Sequence, residues 1–105
     1  MQAQPATNAN AIYQEIVAYI ASHGRPYKDW YAGITGDVSQ RLFTKHKVSK
    51  ETHPAWIYRT CASADDARAV ETALHNLGCD GGVGGGDATT VLVYAYLKVG
   101  GITAP

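Results

Sequence analysis

Ala67, Val70, Leu74 and Leu77 recur at the three- and four-residue spacing of one helical face, and the segment that carries them is punctuated at both ends. Ser63-Ala-Asp-Asp66 fits a capping box and Gly78 a stop, so the spacing predicts a helix between them. A helix with one apolar face must cover something. Three short β-rich runs supply the partner. Trp30 to Thr35 is aromatic and β-rich, and Gly36-Asp37 follows as a turn. Ala55 to Cys61 alternates Trp56, Tyr58 and Thr60 against Ile57, Arg59 and Cys61. Thr89 to Lys98 sets Val91, Val93, Ala95 and Leu97 against Leu92, Tyr94 and Tyr96. A further helix is predicted over residues 11 to 22 from Ile12, Ile16, Val17 and Ile20, with Asn10 as cap, Gly24 as stop and Arg25-Pro26 as break. Val38 and Leu42, one turn apart, predict a short helix over 38 to 46, and 47 to 54 is a polar loop. The order predicts an α+β domain: a small three-stranded antiparallel sheet packed with about three helices.

One domain over residues 1–105 is expected, with 1–9 and 100–105 as flexible ends. Nine basic and nine acidic residues cancel, which weighs against a protein that grips nucleic acid through a general excess of positive charge. The charges are unevenly placed, however. Arg41, Lys45, His46, Lys47 and Lys50 crowd ten residues, so one face can still be basic. Cys61 and Cys79 are too few for a disulfide framework, and two reduced, partly buried thiols are expected. No apolar run approaches the roughly 20 residues of a membrane span, nor does the start read as a signal peptide, so a cytoplasmic protein without a membrane partner is expected.

The chemistry gathers around Tyr31-Ala-Gly-Ile-Thr35, Arg41 and Glu71. Cleaving a phosphodiester needs a metal ligand, a cation for the developing charge on phosphorus, and a group that orients or deprotonates water. Glu71, Arg41 and Tyr31 suit these tasks in that order. Glu71 lies about 80 degrees from the centre of its helix's apolar stripe, a boundary position expected to leave the carboxylate wet enough for a divalent ion.

These residues, from about 30 to 78, resemble the second half of the GIY-YIG nuclease signature, a tyrosine strand, a helical arginine ten residues on and a glutamate on a later helix. The resemblance implies a metal-dependent DNA endonuclease using Mg²⁺ or Mn²⁺ held by Glu71, with Tyr31 and Arg41 catalytic and Thr35, Lys45 and His46 contacting substrate. The first half of the signature, a Gly-Ile-Tyr strand upstream, is missing: Val17-Ala18-Tyr19 stands there inside a helical pattern. Val93-Tyr94-Ala95-Tyr96-Leu97-Lys98, followed by Gly100-Gly101, reads much like that strand at the other end of the chain. If it lies beside Trp30 to Thr35, the resemblance becomes that of a circular permutation, and Tyr94 or Tyr96 supplies the second hydroxyl.

Blander readings stand beside these. Tyr31 suits a half-buried strand, Arg41 and Glu71 an ion pair between helices, and the aromatic strands a core. A catalytically inactive module binding nucleic acid or protein on the same scaffold is the alternative function, and a homodimer through an open sheet edge a further one. Asp80 to Ala88 lacks the Gly-Lys-Ser/Thr ending of a phosphate loop and reads as a connector, while the four histidines lack zinc spacing.

Overall fold

The computed structural model describes residues 9–37, 55–81 and 90–98. Helix α1, Ala9–Ala21, begins two residues before its predicted start and buries Ile12, Ile16 and Ile20. Gly24, at φ 68°, takes the left-handed conformation that turns the chain back after the helix. A 3-10 turn over Tyr27–Asp29 then delivers the chain to strand β1, Trp30–Thr35. Strand β2 is Trp56–Thr60, helix α2 Ala64–Leu77 and strand β3 Leu92–Leu97. At the start of α2, Asp66 N donates to Ser63 Oγ at 3.1 Å, and Gly78 ends the helix at φ 120°.

The α+β class is as expected. Among the described residues two α-helices are formed where about three were predicted, and the segment 38–46 assigned to the third lies outside them.

The sheet is antiparallel throughout, in the order β1-β3-β2. The last strand in sequence is therefore the central one. Its register sets Tyr96 between Tyr31 and Trp56, and Tyr94 between Gly33 and Tyr58. Side chains alternate along a strand, so each face collects one set from all three. One face gives Trp30, Ala32, Ile34, Ile57, Val93 and Ala95 to the core, where they meet Ile12, Ile16 and Ile20 of α1 and Ala67, Val70 and Leu74 of α2. The opposite face carries a separate aromatic cluster of Tyr94 and Tyr96, with Tyr31 and Trp56 packed against it.

Both sheet margins are modified. Beside β1, Asp80 N donates to Trp30 O at 2.7 Å and Ala32 N to Asp80 O at 2.9 Å, a one-residue parallel bridge between Asp80 and Tyr31. Asp80, expected in the glycine-rich connector, is thus part of the sheet. Along β2, Arg59 Nη1 donates to Tyr58 O at 2.7 Å while its Nε donates to Glu15 Oε1 at 2.6 Å. Ala55 O and Cys61 N bond to β3, so the Tyr58 carbonyl points to the outer edge and the guanidinium covers it.

Candidate functional site

The aromatic face is built by register. Tyr31 and Tyr96 stand opposite each other on neighbouring strands with ring centroids 5.4 Å apart and planes 24° from parallel. Tyr94 lies 6.4 Å from Tyr31 at 17°. Its ring comes to rest over Gly33, its cross-strand partner, and a Cβ added there would sit 2.6 Å from Tyr94 Oη and 2.8 Å from Cζ. The glycine of Tyr-x-Gly is therefore a packing requirement: only a residue without a side chain leaves room for the phenol.

Burial sorts the three tyrosines. Tyr96 is 0% and Tyr94 2% exposed, whereas Tyr31 is only partly buried. The Tyr96 hydroxyl is held far above the ordinary tyrosine value, first by burial and then by Tyr31, Tyr94 and Asp80 around it. Such a phenol stays protonated and acts as a donor and a spacer, not as a base. Of the three tyrosines, Tyr31 is the one that keeps access to solvent.

Glu71 comes from α2, where it extends the buried stripe of Ala67, Val70 and Leu74. It is 7% exposed, and this corrects the expectation of a wet boundary carboxylate. Burial raises its pKa, against the opposing pull of His75 and Arg68. One turn further on, His75 Nε2 lies 2.9 Å from Ala32 O. A carbonyl accepts, so Nε2 carries the proton, and the contact lays this side of α2 along the edge of β1. Gly81 packs against the same imidazole so closely that a Cβ there would overlap His75 Nε2.

Burial thus favours the protonated carboxyl, and a cation beside it would favour the charged form instead. No group of three or more His, Cys, Asp and Glu that could hold a metal ion gathers among the described residues. Mg²⁺ and Mn²⁺, which keep several waters and take one or two protein carboxylates, need no such group.

Tyr31, Tyr94 and Tyr96, chosen from the sequence, are thus brought together on one face, whereas Glu71 belongs to α2, which packs on the opposite, core face along the β1 edge. Thr35 is placed otherwise than as a substrate contact: its Oγ1 accepts from Asp37 N at 3.0 Å and donates to Asp37 O at 3.3 Å, closing the turn after β1. Arg41, Lys45 and His46 lie outside the described residues. Sequence reasoning missed Asp80 and Lys98. Their side chains pair at 3.2 Å beside the tyrosines, and no spacing in the sequence links a residue at the head of a glycine-rich run to one after the last strand.

In comparisons with known proteins, no family model, curated protein or solved structure matches the chain. The functional reading accordingly rests on the residues and their placement.

Proposed function

We propose that this chain is a small metal-dependent endonuclease of DNA, resembling the GIY-YIG nucleases with the two tyrosine strands exchanged in sequence order. One observation carries the reading: β3, last in the chain, is the central strand and sets Tyr96 directly opposite Tyr31. Tyr94-Ala95-Tyr96 then reads against Gly-Ile-Tyr, with tyrosine in place of the glycine.

In this reading hydrolysis proceeds by attack of water on phosphorus, with the P–O bond to the leaving strand breaking as the new one forms. Tyr31 Oη, the accessible phenol, accepts a hydrogen bond from the attacking water and orients it. Tyr96 fixes the Tyr31 ring by stacking and, as a protonated phenol, supplies a hydrogen-bond donor to the site. Arg41 balances the charge that grows on the phosphate oxygens. Glu71 would hold Mg²⁺ or Mn²⁺, which would supply further charge neutralisation and acidify bound water.

Burial of Tyr94 and Tyr96 favours a second reading, since residues at 2% and 0% exposure offer substrate little surface. On that reading the same scaffold binds nucleic acid or protein without cleaving it. Nicking of supercoiled plasmid separates the two. Cleavage that needs a divalent ion and disappears in Glu71→Ala and Arg41→Ala supports the nuclease; intact plasmid with every divalent ion tried leaves the binding module.

A further inference from the structure

Lys98 lies two residues beyond Tyr96, on the same side of β3, and the ladder still holds its backbone: Lys98 N donates to Asp29 O at 2.8 Å. Asp80 is the bridge partner of Tyr31 and so presents its side chain to the same face. Lys98 Nζ and Asp80 Oδ2 meet at 3.2 Å, a contact that crosses β1 at the Tyr31 end of the aromatic cluster. We propose that Lys98 is a phosphate-contacting residue of the tyrosine face, and that Asp80 is the counter-ion it exchanges for a phosphate of bound DNA. The inference rests on the nucleic-acid reading given above.

The two members of the pair differ in what holds them. Asp80 is fixed from several directions: its N–H and C=O bond to β1, and Gly81 N donates to its Oδ1 at 2.9 Å. Among the described residues Lys98 is anchored only through its backbone and this one side-chain contact, on a long stem with three donors. With side chains 28% and 49% exposed, the pair is well solvated, so a phosphate displaces the carboxylate at little cost. Two other described cations are engaged with carboxylates of their own, Arg25 with Asp29 and Arg59 with Glu15. The charge of Asp80 also reaches the Tyr96 hydroxyl, which ties the pair electrically to the tyrosines. A chain of zero net charge thereby gains a local phosphate contact without a basic surface.

Binding measured without cleavage tests this. Fluorescence anisotropy of a labelled DNA duplex with the full chain, in EDTA and over a series of salt concentrations, gives the slope of log K against log[salt]. In Lys98→Ala the slope is expected to become shallower by about 0.9, the value of one lost duplex-phosphate contact, while Lys98→Arg restores it. Asp80→Asn is expected to bind more tightly with the slope retained, because the lysine no longer has a carboxylate to leave. Lys98→Gln serves if circular dichroism shows the alanine variant unfolded. A wild-type slope in the Lys98 variants overturns the inference even in a protein that nicks plasmid. The expected shift in a protein that never cleaves supports it and removes the nuclease instead, and failure of the wild type to bind DNA at all overturns both.

Discussion

Gly33→Ala puts one methyl where the Tyr94 phenol lies. The new carbon would approach Oη to 2.6 Å, Cζ to 2.8 Å and Cε2 to 3.1 Å, so the hydroxyl and two ring carbons must give way together. At 2% exposure Tyr94 has no open solvent to swing into, and it is walled by Tyr31 and Tyr96. Overpacking of this kind costs about 1–3 kcal/mol. Against it stands the gain of about 0.4–1 kcal/mol that alanine brings over glycine by restricting the unfolded chain. The net loss is about 1–2 kcal/mol, which in a domain of this size lowers Tm by roughly 5–15 °C. Urea denaturation followed by circular dichroism measures the difference, and the Tyr94→Leu background identifies its cause. With the ring gone, the penalty for Gly33→Ala should vanish, a coupling of about 1 kcal/mol or more. A Gly33→Ala protein as stable as wild type, or one equally destabilised in both backgrounds, refutes the assignment of this glycine to ring packing.

Burial holds the Glu71 carboxyl above its ordinary value of 4.5, so the folded protein retains a proton that the unfolded chain releases. The stability this group contributes is complete below 4.5 and is lost as pH rises through the raised folded value. Glu71→Gln should therefore be more stable than wild type at neutral pH and show less loss between pH 4 and 7 in urea titrations without metal. Burial likewise pushes the Cys79 thiol from 9.0 to about 11, so its stabilising effect, present below 9.0, fades as pH climbs toward 11. Cys61 is raised too, and both thiols should react slowly with a disulfide reagent at pH 8 until urea unfolds the chain. Arg59→Ala removes a half-exposed ion pair worth about 0.2–1 kcal/mol and uncovers the Tyr58 carbonyl on the β2 edge. Size-exclusion light scattering should show more self-association than in wild type, and an unchanged mass would mean that this guanidinium does not guard the edge.

Much of the fold was legible because its signals are local. The Ser63 cap, the Gly78 stop and the stripe from Ala67 to Leu74 lie within one segment, and α2 follows them closely. Strand faces were legible as well, since alternation alone separates Val93 and Ala95 from Tyr94 and Tyr96. Strand order is a long-range property, yet one clue to it was present. A strand apolar on both faces is buried on both, and β3 alternates aliphatic with aromatic residues where β2 alternates with Arg59 and Thr60. The candidate site was legible in its residue types and less so in its environments. Helical angle put Glu71 at a boundary, but the angle does not reveal that the fold leaves it only 7% exposed. Thr35 was expected to contact substrate through the family resemblance alone, and in the fold its hydroxyl bonds the backbone of Asp37 in the turn after β1. Asp80 and Lys98 meet only because a single-residue bridge brings Asp80 beside β1, and nothing in a glycine-rich sequence announces such a bridge.

The pairing of Tyr31 with Tyr96 is the centre of the functional account, and the rate of strand cleavage under single-turnover conditions with Mg²⁺ or Mn²⁺ tests it most directly. Tyr31→Phe keeps the ring, the stacking and the fold while removing the accessible hydroxyl. The account predicts a fall in rate of about 10²–10⁴-fold with DNA binding in EDTA unchanged, the loss expected when a group that handles a proton of the attacking water is deleted. A Tyr31→Phe protein that cleaves at the wild-type rate, or a wild type that cleaves with neither ion, would contradict it.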